Sequence, residues 1–175
     1  MTAHTDHVWR AYDIRGDATT EITANFSLRL GWALARLFQT FGAEEIAVAR
    51  DARLTSPLLH SKLIDGLRAG GVDVYDIGEA PTPALYFAVD GLGFDAGVVV
   101  TASHNPSKDN GYKIRINGGE IFSKEIQFLK KWSEKYEPQT DNLGSIERVS
   151  IQNTYVDAIV DACQPAPKRF KVAID

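Results

Sequence analysis

Two periods alternate along this chain. Short β-branched or alternating apolar runs are separated by longer stretches in which apolar residues return every three or four positions. Segment 9–16, an apolar–polar mixture ending at Gly16, predicts a short strand running into a turn. Thr19 or Thr20 is placed to cap a helix running to about Phe41, because Ile22, Phe26, Leu30, Leu34, Leu37, Phe38 and Phe41 fall near helical spacing. Gly42 suits the position just past its end.

The same alternation continues. A strand over 45–51 precedes Thr55-Ser56-Pro57, which reads as an N-cap with Pro in the first turn. The following helix buries Leu59, Leu63, Ile64 and Leu67 and stops at Gly70-Gly71. A strand over 72–77 leads to Thr82-Pro83, a second capping signal ahead of Leu85, Tyr86 and Val89. Strands over 97–101 and 112–117 follow, then a turn at Asn117-Gly118-Gly119. Ser123 is expected to cap a helix carrying Ile126, Leu129, Trp132 and Tyr136. After a polar loop over 137–144, another helix begins near Ser150 and presents Ile151, Tyr155, Ile159 and Cys163.

Strands alternating with helices predict an α/β protein: a three-layer α/β/α sandwich around a mixed, mainly parallel sheet. The fifth strand follows the fourth too closely for a helical crossover, so those two should pair antiparallel. Residues 1–163 are expected to form one domain. The stretch 164–167, Gln-Pro-Ala-Pro, reads as a stiff linker, and 168–175 starts a new strand pattern that reads as the truncated first strand of a second domain. Residues 1–8 are expected to be disordered, with His4 and His7 as bystanders.

Composition narrows the class. With 175 residues, 44% hydrophobic and 24% charged, the chain is an ordinary globular domain in its totals. A net charge of −4 argues against a nucleic-acid partner or an anionic membrane surface. No stretch approaches the ~20 apolar residues that span a bilayer, and residues 1–7 carry no apolar leader core. The single cysteine, Cys163, fits a reducing cytoplasm and is expected to be a buried helix residue.

The chemistry concentrates between the fourth and fifth strands. There Thr101-Ala102-Ser103-His104-Asn105-Pro106 and Asn110-Gly111-Tyr112-Lys113 place hydroxyl, imidazole, amide and ammonium groups on a loop between two strands. Taken without any motif, Lys113 reads as an exposed strand lysine, Arg15 as a surface ion-pair partner and Tyr12 as a half-buried strand aromatic. Arg50, Asp51 and Arg53 form a charged turn after the second strand, read as structural ion pairing. Ser103 beside His104 does not suggest a serine hydrolase: neighbours on a strand-like loop point apart, and no Gly-x-Ser-x-Gly elbow is present.

This loop, together with Trp9-Arg10-Ala11-Tyr12-Asp13-Ile14-Arg15-Gly16 near the start, resembles the phosphoserine loop and opening motif of the α-D-phosphohexomutases, the phosphoglucomutase and phosphomannomutase superfamily. The resemblance covers nearly the whole chain but only the first of the family's four domains. It implies that Ser103 carries a phosphate, which would be the chain's contribution to a bound Mg²⁺. It implies that Lys113 is the general acid/base, Arg15 its charged neighbour and phosphoryl clamp, and Tyr12 a substrate contact. His104 and Asn105 hold the loop or bond the sugar, and Gly111 allows a close backbone approach. Substrates implied are hexose 1- and 6-phosphates, with a hexose 1,6-bisphosphate. The family's Asp-Gly-Asp-x-Asp metal loop, its Gly-Glu-x-Ser-Gly-His sugar loop and its last-domain phosphate loop do not occur in this sequence, so those parts would belong to domains II–IV. The isolated chain is therefore expected to be inactive. Two other readings stay open: a phosphoglucosamine mutase domain, against which Tyr12-Asp13 speaks, and a non-catalytic truncated binding module.

Overall fold

The computed structural model describes residues 3–116, 119–137, 142–163 and 171–173. Its strands are β1 (Ile14–Asp17), β2 (Glu45–Arg50), β3 (Asp73–Glu79), β4 (Ala96–Val100), β5 (Asp109–Ile116), β6 (Gly119–Glu120) and β7 (Ile146–Arg148). Its helices are α1 (Ala24–Thr40), α2 (Ser56–Ala69), α3 (Thr82–Leu92), α4 (Ser123–Glu134) and α5 (Gln152–Ala162). The sheet runs β1-β5-β4-β2-β3-β7, with β6 attached to β5. Strands β4, β2, β3 and β7 are parallel neighbours, while β5 runs antiparallel to β4, β1 and β6. The mixed sheet and the antiparallel fifth strand are as the sequence predicts.

Two apolar layers flank the sheet. On one face α1, α2 and α4 contribute Phe26, Leu30, Leu34, Phe38, Leu59, Leu63, Leu67, Ile126 and Leu129 to a core with Ile46, Val48, Val98 and Ile114. On the other, Ala84, Leu85 and Ala88 of α3 pack with Ala47, Ala49 and Val99. Alternate residues of β2 and β4 serve opposite layers, as the strand period requires. Helices α1 and α2 touch backbone to backbone. A Cβ on Gly31 would lie 2.2 Å from the Leu63 carbonyl oxygen, and one on Gly66 would lie 2.0 Å from that of Leu28.

The ends of elements depart from expectation for local reasons. Helix α1 starts at Ala24, capped by Thr23 rather than by Thr19 or Thr20. Thr19 is spent on a turn instead: its amide and hydroxyl both donate to Asp17 Oδ1, and the amides of Glu21 and Ile22 donate to the Asp17 carbonyl. Thr55 does occupy the N-cap of α2, but its hydroxyl accepts from Asn110 Nδ2 at 2.9 Å instead of capping. Pro81 and Phe122, not Thr82 and Ser123, sit at the N-caps of α3 and α4. The Phe122 amide is satisfied by the Glu125 carboxylate at 3.1 Å.

Three larger corrections follow. Residues 3–8, expected to be disordered, form a 3-10 helix, because Val8 and Trp9 are buried and His7 Nε2 lies 2.7 Å from Glu21 Oε1. The strand placed over 9–16 begins only at Ile14; Trp9 makes an isolated bridge to Ile14, and Tyr12 stands on an exposed bend. Helix α5 buries none of its residues, and Cys163 at its end is exposed, not buried. Val156, Ile159 and Val160 form an apolar stripe that nothing among the described residues covers. Strands β6 and β7 were too short to show a period. The turn at 117–118 and the linker over 164–167 lie outside the described residues. So does most of the strand expected over 168–175, of which 171–173 are described and carry no strand. No helix among the described residues is long and apolar enough to cross a membrane.

Candidate active site

Beyond the C-terminal end of β4 the chain turns through Thr101–Lys108 and returns as β5, at the edge where open α/β sheets carry their sites. Ser103 occupies the outer part of this loop, exposed, with φ of 58°. That left-handed backbone is rare for a residue with a side chain and persists only where its surroundings enforce it. The Ser103 amide donates to Thr101 Oγ1 at 2.9 Å, and the Asn105 amide to the Ala102 carbonyl at 3.1 Å.

The turn also corrects one expectation. Ser103 Oγ and His104 Nδ1 do not point apart; they lie 3.3 Å from each other, because the left-handed residue replaces strand-like geometry. Among the described residues no acid partners His104, so this proximity does not build a hydrolase triad.

Arg15 is not a surface cation. It is 6% exposed and forks toward two groups. Its Nε and Nη2 bind Asp13 Oδ2 at 2.8 and 2.7 Å, and its Nη1 reaches the Ala102 carbonyl and Asn105 Oδ1, each at 3.1 Å. Asp13 is itself buried, and its Oδ1 has no hydrogen-bond partner among the described residues. Asn105 uses both ends of its amide inside the loop, since Nδ2 donates to Asp109 Oδ2 at 2.9 Å. Of the two roles open to it, loop-holding is the one these contacts match.

Lys113 and Arg15 share a sheet face. Arg15 sits opposite Gly111 in the β1–β5 ladder, and Lys113 is one pleat further along β5, opposite Val99. Lys113 is half-buried and makes no hydrogen bond or ion pair with the described residues. Its neighbour Tyr112 faces the other layer, where burial raises its phenol pKa and Ser27 shares a hydrogen bond with it. Gly111 is the close approach the sequence suggested: a Cβ there would lie 2.1 Å from the Ile14 carbonyl oxygen. Tyr12 is 52% exposed and His104 is exposed, so both are open to a ligand, His104 keeping its contact with Ser103 Oγ.

The ion pairing read into the 50–53 turn exists: Arg50 to Glu79 at 2.8 Å and Arg53 to Asp51 at 3.1 Å. Sequence reasoning missed what else the turn does. Asp51 accepts from Thr101 Oγ1 at 2.8 Å and from Ser56 Oγ, and Asn110 Nδ2 donates to Ser56 Oγ at 2.9 Å. Because β2 and β4 are parallel neighbours, their C-terminal ends lie side by side. That adjacency comes from the strand order, which a mainly parallel sheet alone does not specify.

The sequence matches the family described as phosphoglucomutase/phosphomannomutase, alpha/beta/alpha domain I, over residues 6–139. A phosphomannomutase/phosphoglucomutase of Pseudomonas putida is 39% identical over 170 residues, covering 97% of this chain and 36% of that protein. A phosphoglucosamine mutase of Caldicellulosiruptor saccharolyticus is 35% identical over 171 residues, covering 93% and 38%. The crystal structure of a phosphoglucomutase/phosphomannomutase family protein from Burkholderia thailandensis superimposes with a TM-score of 0.82 at 37% identity, covering 92% of this chain and 36% of that one. The chain belongs to the phosphoglucomutase/phosphomannomutase family, in its α/β/α domain I, and spans a little over a third of the length of these relatives.

Proposed function

We propose that this chain is the phosphate-carrying domain of a hexose phosphate mutase, with residues 1–163 as its first domain and 164–175 leading into a second. The reaction moves a phosphoryl group between the 1- and 6-hydroxyls of a hexose phosphate. A covalent carrier achieves this in two transfers: Ser103 gives its phosphate to the free hydroxyl, forming a hexose 1,6-bisphosphate, then takes back the other phosphate. The observation that carries the reading is the exposed Ser103 hydroxyl on a strained turn, fixed from below by a buried arginine fork.

Lys113, half-buried and unpaired, is the group suited to exchange a proton with the sugar hydroxyl. Arg15 stands on the same face, where its guanidinium attracts the phosphoryl oxygens. Tyr12 and His104, both exposed, are open to the sugar, and Asn105 keeps the loop in register. Mg²⁺, when bound, neutralises charge on the transferring phosphoryl group. The fit is partial in this chain: no group of three or more acidic, His or Cys side chains converges among the described residues. Phosphorylated Ser103 would offer oxygen ligands of the kind Mg²⁺ prefers, and the family resemblance assigns the other ligands to domains II–IV. A cytoplasmic location follows from the same reading.

The test is intact mass and phosphopeptide mapping of a full-length enzyme carrying this domain, purified or incubated with glucose 1,6-bisphosphate. One phosphate on Ser103 is expected, absent in Ser103→Ala, which should not turn over glucose 1-phosphate or mannose 1-phosphate. An adduct on another residue, or normal rates in the alanine variant, would reject the assignment. The 35% identity to a phosphoglucosamine mutase keeps glucosamine phosphate in the same assay as a third substrate.

A further inference from the structure

Arg53 reaches the reactive loop from the β2–α2 turn, and all five of its guanidinium N–H groups are engaged. Nη2 donates to the carbonyls of Ser103 at 2.9 Å and Asn105 at 2.7 Å; Nη1 donates to those of Pro106 at 2.7 Å and Asp109 at 3.1 Å. Nε binds Asp51 Oδ2 at 3.1 Å, and the Arg53 amide donates to Asp51 Oδ1, also at 3.1 Å. A guanidinium carries five donors in one rigid plane. Four of the five acceptors here are main-chain carbonyls of a single loop. Ion pairing with Asp51 needs only one donor, so the other four have a different use.

That use is geometric. The loop has little regular secondary structure, and its own amide bonds, Asn105 to Ala102 and Asp109 to Pro106, close only local turns. Four carbonyls facing one cation define a common centre around which the segment from Ser103 to Asp109 is wound. One of them belongs to Ser103 itself, the residue held at φ of 58°. Arg53 is in turn fixed by Asp51, which is held by Thr101 Oγ1 at the loop's entrance.

We propose that Arg53 is a positioning residue for phosphoryl transfer: its fork holds Ser103 in the left-handed conformation that points the hydroxyl outward at a constant place. None of the five Arg53 donors goes to Ser103 Oγ, so it acts through the loop's backbone and not on the reacting atoms. This inference rests on the reading of Ser103 as phosphate carrier. Misplacement of a reacting group by about 1 Å costs on the order of 10²-fold in rate. A lysine at this position keeps the charge but cannot satisfy four separated carbonyls.

The experiment compares wild type, Arg53→Lys and Arg53→Gln in the full-length enzyme. Expected for both variants is a kcat lowered about 10²-fold with KM changed by less than about threefold. Single-turnover phosphorylation of Ser103 should fall by the same factor as kcat. Amide exchange should quicken at 103–109 while protection of β2 and β4 is kept. A residue that merely stabilised the fold would lower the melting temperature and leave kcat per folded molecule unchanged; that outcome overturns the proposal. So does loss of protection throughout β2 and β4 in both variants, which would make Arg53 part of the folding core. If wild type takes no phosphate on Ser103, the functional reading itself fails and takes this inference with it. If wild type is phosphorylated and Arg53→Lys matches its rates, only this inference fails.

Discussion

The Arg15 guanidinium and the Asn105 side-chain carbonyl meet at 3.1 Å across 90 residues of sequence. This bond joins the first strand to the loop that carries Ser103. It places a buried charge, already paired with Asp13, under a turn whose outer face carries Ser103. Replacing Asn105 by alanine leaves one arginine donor without its side-chain acceptor and Asp109 without an amide donor. The expected loss is about 1–3 kcal/mol, the usual cost of a buried polar group left unpaired. Urea unfolding of the 175-residue chain measures it, and an unchanged midpoint would show that the contact does not hold the loop.

Gly111→Ala tests the seam between β1 and β5. The new methyl would lie 2.1 Å from the Ile14 carbonyl oxygen and 3.0 Å from the Arg15 Cα and Cγ. The clash is with backbone, so β1 must shift and carry Arg15 with it. A destabilisation of about 1–3 kcal/mol is expected, with amide exchange accelerated in 14–17 and 109–112. Wild-type stability and exchange would refute the close approach.

Much of this seam was legible beforehand. The hydrophobic periods placed all five helices and the central strands, because those elements are long enough to repeat their pattern. The motif around Ser103 and the opening motif each pointed to residues that the fold does bring together: Arg15 touches the loop at Ala102 and Asn105. What stayed hidden was of two kinds. β6 and β7, at two and three residues, are shorter than any period. The role of Arg53 was hidden because its acceptors are carbonyls, which no side-chain pattern records. The N-cap fell at Thr23 and not at Thr19 or Thr20 because Asp17 draws Thr19 into a turn, and that aspartate resembles any other turn aspartate in sequence.

His60 gives the fold a pH dependence of definite sign. It is buried on α2 against β3, with Nε2 3.1 Å from Asp76 Oδ1 but not aligned for a hydrogen bond. Burial lowers its pKa below the ordinary 6.5, aided by the charges of Arg50 and Arg148 and opposed by Asp76 and by a backbone bond with Val48. Between the lowered folded value and 6.5 the unfolded chain binds more protons than the folded one. Stability therefore rises with pH across that interval: it is fully present above about 6.5 and declines as pH falls below it. Urea midpoints measured between pH 8 and pH 5 should fall on the acid side, and fall less in His60→Leu. Equal pH slopes in the two proteins would remove His60 as the cause.

Lys113→Met should lower kcat in the full-length enzyme by about 10²–10⁴-fold, the range for a lost general acid or base. Lys113 has no hydrogen bond or ion pair among the described residues, so its removal breaks nothing in the fold and the melting temperature should hold. An effect confined to KM would make it a substrate contact instead of the proton carrier. Phosphorylation of Ser103 measured by mass, unchanged in this variant before turnover, separates loss of the proton step from loss of the carrier.

The 175-residue chain alone should fold and yet fail to turn over hexose phosphates. Folding is expected because both sheet faces are covered: α1, α2 and α4 close one layer, and α3 closes the centre of the other. The uncovered stripe Val156, Ile159 and Val160 lies on α5, which meets the second layer through Ile151 and Tyr155, so its exposure costs solubility more than it costs the core. Failure to turn over is expected from the chemistry the chain lacks. Its described residues bring no cluster of carboxylates to Ser103, so the phosphoryl oxygens keep their charge as the bond breaks. The family's last-domain phosphate loop does not occur in this sequence either, and orientation of the kind it would supply is worth roughly 7–11 kcal/mol in well-ordered sites. Circular dichroism with a cooperative urea transition checks folding, and a coupled assay with glucose 1-phosphate, glucose 1,6-bisphosphate and Mg²⁺ checks turnover. A rate above a hundredth of that of a full-length relative would mean that Ser103, Arg15 and Lys113 suffice, and that clamping by further domains contributes far less than orientation should.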